Sequence, residues 1–327
     1  MKRSSSLLPG LLLCAAGAAA AVLVNRAVPT LSALLVAILL GVAVTNLVSL
    51  PTIFAPGVAC SAKRVLRIGI VLLGLQLVLG DVLRLGAGMI AVVVAVVAGG
   101  ILGSLALGRL LGVRASQRLL IASGFSICGA AAVAGVNSVV EAEEDDVATA
   151  IALVVLYGTL MIPTVPLLVH LFGLAELPAG LWAGASIHEV AQVVAAGAAL
   201  GPASLKVAVV VKLARVLMLA PVVVVIGWRM RRHHSVEAGG HRPPLVPLFV
   251  LGFVLMVAVA SLHLVPAAWL PVVKTVQTGL LAAAMFALGL GVKVRQLLGV
   301  GPRPFLLGLL STVWVAGLAL SGVLLVS

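Results

Sequence analysis

The chain has very little charge. Charged residues make up 9% of its 327 residues, against roughly 25% in a soluble domain, which excludes a protein that stays monomeric in water. Cysteine is scarce as well: Cys14, Cys60 and Cys128 are odd in number and widely scattered. That excludes a disulfide framework and offers no metal-ligand spacing. No GxxxxGK[ST] phosphate loop is present, so ATP hydrolysis would need a separate subunit. Acidic residues are few, nine against 21 Lys and Arg. The resulting net charge of +12 invites a nucleic-acid reading, but the basic residues sit mostly in short loops between apolar runs. Basic loops of that kind set membrane orientation, so neither a nucleic-acid partner nor a cofactor is expected.

What the chain has in abundance is apolar residues, 63% of the total. A helix needs about twenty of them in succession to cross a bilayer. Eleven runs approach that length: 7–24, 28–50, 65–80, 86–107, 119–140, 147–172, 179–200, 205–228, 245–265, 272–292 and 304–326. The expectation is an all-α, polytopic membrane protein of about eleven transmembrane helices, one integral domain over 1–327 with the lipid bilayer as its solvent. Lys2 and Arg3 before Leu7–Val24, with Ala18–Ala20 as a cleavage site, imitate a signal peptide. The run is nevertheless long enough to span and reads as a retained first helix.

The loops give an orientation. Lys63, Arg64 and Arg67 precede the third run, and Arg109, Arg114 and Arg118 follow the fourth. Arg229, Arg231, Arg232 and Arg242 follow the eighth; Lys293, Arg295 and Arg303 follow the tenth. All fall on the side of Lys2 and Arg3, which places the N-terminus in the cytoplasm and the C-terminus outside. The acidic residues Glu141, Glu143, Glu144, Asp145 and Asp146 fall on the opposite side and read as a solvated exterior turn.

There are internal echoes. Leu73-Gly74-Leu75 recurs as Leu288-Gly289-Leu290 in a segment of opposite direction, as an inverted repeat requires. Ser126-Ile127-Cys128 is echoed by Ser186-Ile187-His188, with Pro163 and Pro221 at similar offsets. Those two runs travel the same way under a count of eleven, so either the second echo is chance or the boundaries between 147 and 200 are misplaced.

Several runs carry polar groups where a membrane protein should have none. An ionisable side chain near the bilayer centre costs at least about 2.5–3.5 kcal/mol. The fifth run is poor in bulk and rich in small residues around Ser126, Cys128 and Gly129, which suits close packing or a helix broken at Cys128–Gly129 whose freed N–H groups attract anions. The seventh run carries His188, Glu189 and Gln192. His188 and Gln192 are four apart and share a helical face, with Glu189 one step round. The HExxH zinc pattern fails because Gln192 replaces the second histidine. Glu189 reads either as a helix tie through an ion pair with Lys212 or Arg215, or, with His188, as a proton- or ion-coupling group. Lys212 and Arg215 in the eighth run share a face, and two cations against one carboxylate leave a positive surplus suited to an anion. Pro221 is expected to kink that helix. A second break is expected near Gln277-Thr278-Gly279.

Phe54-Ala55-Pro56-Gly57, Ser126-Ile127-Cys128-Gly129-Ala130-Ala131-Ala132 and Ile187-His188-Glu189-Val190-Ala191-Gln192-Val193-Val194-Ala195-Ala196-Gly197 together resemble the YeiH-type family. So do Lys212 to Pro221 and Ser261-Leu262-His263-Leu264-Val265-Pro266. That family comprises bacterial inner-membrane proteins labelled sulfate exporters and is grouped with the cation/proton antiporter and bile-acid symporter superfamily. The resemblance implies inverted repeats, broken crossing helices and an inner-membrane location. The stretch 136–146 is more acidic than the resemblance leads one to expect.

The expected function is secondary transport of a small anion, such as sulfate or a sulfonate, coupled to protons or sodium. The expected substrate contacts are Ser126, Cys128, Gly129, His188, Gln192, Lys212 and Arg215, with Glu189 and His188 in coupling; a homo-oligomer is compatible. A cation/proton antiporter of the same architecture and a non-transporting membrane sensor or scaffold are the alternatives. No enzymatic activity is expected.

Overall fold

A computed structural model describes residues 7–28, 33–140, 142–233, 248–292 and 301–326. Lys2, Arg3, Glu141, Arg242, Lys293 and Arg295, and the side chains of Arg231 and Arg232, lie outside the described residues. Among the described residues every regular element is a helix, and six helices are long and apolar enough to cross a membrane. The chain is an all-α, multi-pass membrane protein. It divides into two compact units, Met1–Gln76 with Met256–Gly301, and Leu77–Leu255 with Pro302–Ser327.

The first unit holds α1 (Leu8–Ala27), α2 (Ala33–Leu47), α3 (Ala55–Cys60), a π-helical turn (Ser61–Val65) and α4 (Leu66–Leu73). The third apolar run therefore begins nearly three turns into a longer helical stretch, and Lys63 and Arg64 are exposed on that π turn rather than in a loop. The later helix of this unit, here α15 (Leu270–Leu290), runs unbroken through Gln277 and Thr278, against the expected break. Gln277 accepts a hydrogen bond from Gln76, a partner reached without opening the helix. Gly41 of α2 and Gly289 of α15 face each other so closely that a Cβ on either would strike the other's backbone. Small residues of this kind let membrane helices pack main chain to main chain.

The second unit contains α5 (Leu79–Leu83), α6 (Gly86–Leu110), α7 (Ala115–Ser126), α8 (Ala130–Val140), α9 (Glu144–Phe172), α10 (Glu176–Ser186), α11 (Val190–Leu200), α12 (Pro202–Leu217) and α13 (Leu219–His233). The division between the units at Leu255 and Met256 falls within α14 (Leu248–Ser261), and α16 (Pro302–Val326) completes the second unit. The interruption between α12 and α13 falls at Met218, where Pro221 has no N–H to offer the carbonyl of Leu217, so the expected kink is present.

The fifth and seventh runs do not cross. The fifth is broken at Ile127–Gly129 into α7 and α8, and the chain turns back there. Arg114, just before α7, binds Asp146 of α9 at 2.6 Å and Glu143, just before α9, at 2.7 Å. The start of α7 and the start of α9 are thus on the same side. Ser116 reaches Asp146, and Gly124 packs against Val154 as well as against Val133 of α8. The constant offset between α7 and α9 means that they run parallel, with α8 returning antiparallel beside α7. The seventh run repeats the design. Glu176 at the start of α10 accepts the N–H of Ala203 at the start of α12 (3.0 Å), and Ser204 Oγ donates to the Glu176 carbonyl (2.6 Å). Gly180 lies against Ser204 and Gly184 against Ala208, so α10 and α12 are parallel and α11 is the return.

Helices of this length explain the reversal. At about 1.5 Å per residue α7 and α10 reach about 16–18 Å, roughly half of a 30 Å hydrocarbon core, whereas α9 is long enough to traverse it. The two re-entrant hairpins come from opposite directions. Gly100 and Gly108 of α6 meet Ser126 and Arg118 of α7, and Val315 and Leu307 of α16. Both α7 and α16 therefore run antiparallel to α6, hence parallel to each other. Trp182 bonds the carbonyl of Ala316 and His188 meets Thr312, so α10 runs against α16. Two opposed hairpins separated by one crossing helix form an inverted pair, and the Ser126-Ile127/Ser186-Ile187 echo marks their two tips. The conflict of direction disappears because the runs that seemed to travel the same way are hairpins and not spans. The acidic segment is likewise corrected: it shares a side with Arg114, and among its described residues Glu143 to Asp145 are solvated whereas Asp146 is fully buried.

Candidate functional site

Each broken helix leaves unsatisfied carbonyls at the end of its first half and unsatisfied N–H groups at the start of its second. In an apolar interior such groups are costly. The two hairpin tips meet, and the ionisable residues sort onto these ends by sign.

The cations take the carbonyls. Arg215 on α12 donates from Nε to Ser126 O (3.2 Å), from Nη2 to Phe125 O (3.0 Å), and from Nη1 to Ala185 O (2.7 Å), Ile187 O (2.9 Å) and Gly184 O (3.4 Å). Lys212 Nζ, one turn earlier, donates to Ile127 O (2.7 Å) and Ile187 O (2.9 Å). Both side chains are fully buried. Positive charge at a helix C-terminus also complements the macrodipole, so two cations serve two helix ends at once. The forked guanidinium suits the task, since one planar group bonds carbonyls of both hairpins.

The carboxylate takes the N–H groups. Glu189 is the N-cap of α11, paired with Gln192 in a capping box in which Gln192 Oε1 accepts the Glu189 N–H at 3.0 Å. The same carboxylate accepts the N–H of Ala130, the first residue of α8, at 3.1 Å. One anion thus serves the N-termini of both returning helices. It forms no ion pair with Lys212 or Arg215 among the described residues; the helix-tying role passes through backbone N–H groups instead. Gly129 makes this possible. Its φ of +77° is left-handed, and a Cβ there would strike the Glu189 side chain.

His188 lies in the second tip rather than on a helix, so it shares no helical face with Gln192; the break at Ile187–Glu189 separates them. Its Nδ1 is 3.2 Å from Phe125 O and its Nε2 3.0 Å from Thr312 Oγ1 of α16. A carbonyl only accepts, which assigns a ring hydrogen to Nδ1. The Phe125 and His188 rings lie 4.5 Å apart. Cys128 is buried in the first tip, and the buried Ser126 Oγ has no protein partner. All eight residues singled out from sequence are therefore on or beside the two tips, or on the helix that holds them. Sequence reading missed the backbone acceptors at Phe125, Ile127, Ala185 and Ile187, which no side-chain pattern announces, and Thr312, a hydroxyl beside Ser311 in an otherwise apolar stretch. An apolar cleft of about 360 Å³ touching Leu107, Val313, Trp314 and Ser321 contains none of the tip residues and no charge.

At the root of the first hairpin, Arg114 is held above its ordinary pKa by its hydrogen bond to Glu143 and then by the charge of Asp146. It stays cationic at any physiological pH.

Comparison with known proteins decides the family. Residues 9–308 match the family model described as Conserved hypothetical protein 698. The chain belongs to this family. A UPF0324 membrane protein of Corynebacterium glutamicum is 52% identical over 317 residues, 97% of this chain and 92% of the relative. One from Brucella melitensis is 39% identical over 315 residues, 94% and 88% of the two chains. The UPF0324 membrane protein TauZ of Paracoccus denitrificans is 38% identical over 288 residues, 87% and 85%. Membership agrees with the YeiH-type resemblance. No solved structure matches the chain.

Proposed function

We propose that this member of the family is a secondary transporter that carries a small anion past the junction of its two hairpin tips. The observation that carries the reading is the junction itself: two opposed re-entrant hairpins whose irregular backbone meets at mid-depth, on α16 between Thr312 and Val315. Non-helical backbone at such depth is tolerated where it is buried in protein or lines a pathway, and transporter substrate sites are built from interrupted helices related by inverted repeats. Two cations and one carboxylate at the tips favour an anion, with sulfate or a sulfonate as the class to test. A cation/proton antiporter would place paired carboxylates there, and Glu189 stands alone among the described tip residues. A relative carries the name TauZ, which specifies no transported substance.

Substrate contact is assigned to Ser126, Cys128, Gly129, His188 and Gln192. Lys212 and Arg215 supply the positive field while holding the tips together. Glu189 is the coupling group, with His188 as the alternative proton carrier. By the basic residues Arg109, Arg114 and Arg118 near its root, the first hairpin opens to the cytoplasm, in a bacterial inner membrane, with the N-terminus inside and the C-terminus outside. The test is flux in proteoliposomes against a panel of anions under imposed proton or sodium gradients. Wild-type protein is expected to move a small oxyanion, and Glu189→Gln to lose proton-driven flux while retaining anion exchange. Absence of anion flux under every gradient, with cation flux present, would favour the antiporter.

A further inference from the structure

Donors gather on the Glu189 carboxylate, and one buried donor beside it, on an amide packed against Gly158 of α9, is left without a partner. Ala130 N–H and the capping-box N–H of Gln192 point at one carboxylate. Gln192 Nε2, on the amide whose oxygen is bound to Glu189 N–H, is buried and has no protein partner. Lys212 directs two of its three hydrogens to carbonyls. Such a surround is built for an oxyanion, and α8 and α11, eleven residues each, bring two helix N-termini to it. The only anion there is the protein's own. Glu189 is partly exposed, whereas His188 and Gln192 on either side of it are buried. From this half-buried residue the carboxylate reaches the start of α8.

We propose that Glu189 is a tethered stand-in for the transported anion: its carboxylate occupies the N-terminal seat of α8 that the substrate's acidic group takes during transport. Substrate and side chain compete for the Ala130 N–H, and the arriving anion releases the second tip from the first. The inference rests on the anion reading of the junction. It goes beyond that reading by naming the position where substrate binds and the group that it must displace. It also gives Gly129 a purpose, since only a residue without a Cβ lets the Glu189 side chain reach the seat.

Two variants separate competition from simple removal of charge. Glu189→Gln removes the charge. Glu189→Asp keeps charge and the cap of α11, but is one methylene too short to reach Ala130. Binding of sulfate and of ethanesulfonate to the purified full-length protein is measured by calorimetry. Competition requires both variants to bind an anion at least about ten-fold more tightly than wild type. If Glu189→Asp binds as wild type while Glu189→Gln gains, charge alone explains the gain and the proposal falls; weaker binding in Glu189→Gln also overturns it. A second measurement needs no substrate. With Cys14 and Cys60 replaced by Ser, the rates of an anionic sulfonatoethyl and a neutral methyl methanethiosulfonate at Cys128 are compared. The anionic-to-neutral ratio should rise about ten-fold in both Glu189 variants, and an unchanged ratio refutes the tethered seat. A raised ratio without sulfate or sulfonate binding upholds the seat and sinks the substrate class instead.

Discussion

The two hairpins have nearly the same length and related tips, yet they contribute differently. The first supplies backbone: the carbonyls of Phe125, Ser126 and Ile127, the N–H of Ala130, and the space left by Gly129. The second also supplies carbonyls, of Gly184, Ala185 and Ile187, but adds side chains, His188 and Glu189, that reach across to the first. Their roots differ as well. The first is closed by a buried carboxylate, Asp146, accepting from Arg114 and Ser116. The second is closed by Glu176 accepting main-chain N–H groups from the start of α12. An inverted repeat fixes equal geometry, and what departs from equality marks the division of labour: one tip receives and the other acts.

Removing the part that both tips share should have the largest effect. Arg215→Lys keeps the charge but offers three donors on one nitrogen, too few for the five carbonyls that the guanidinium fork engages across the two hairpins. With charge-assisted bonds at about 1.5–3 kcal/mol each, a loss of about 3 kcal/mol or more is expected. It should appear as a lowered thermal midpoint together with lost flux. A variant with wild-type midpoint would show that the carbonyl bonds are redundant.

Gly129→Ala strikes only the first tip. A left-handed backbone costs a residue with Cβ about 1–2 kcal/mol, and overpacking against Glu189 adds about 1–3. The effect should centre on the junction, with faster amide exchange at the start of α8 and little change in α9. Uniform destabilisation would count against a local clash.

The roots should respond least and unequally. Asp146→Asn replaces a buried charged acceptor and is expected to cost about 2 kcal/mol. Glu176→Gln keeps an oxygen for the Ala203 N–H and should cost about 1 kcal/mol or less. Amide exchange in the first turns of α7 and α10 reads the two effects separately. Equal responses would erase the distinction between the roots.

Much of the site was legible in the residues. His188, Glu189, Lys212 and Arg215 were conspicuous because charge in an apolar run demands a partner, and the small residues around Cys128 marked a break. Their partners were not legible. Lys212 and Arg215 looked available to a solute because side-chain chemistry shows no neighbouring acidic surplus, whereas their partners are carbonyls of two short stretches, 125–127 and 184–187, that any sequence could provide. The break at Ile187–Glu189 was hidden by an apolar run of helical composition, so His188 and Gln192 were placed on a face that does not exist. The expected break at Gln277 failed for the opposite reason: Gln76 bonds that amide across the first unit.

By itself the sequence determined that this chain lives in a bilayer, that it is helical, and which polar groups its membrane interior must accommodate, because composition and run length alone set the cost of exposure to lipid. Only the tertiary structure decided whether a run of some twenty apolar residues crosses or turns back. Hydropathy measures how much of a segment avoids water and carries no sign of direction. Direction resides in the contacts between distant ends, Arg114 with Asp146 and Glu176 with Ala203, and those contacts make two apparent spans into opposed hairpins.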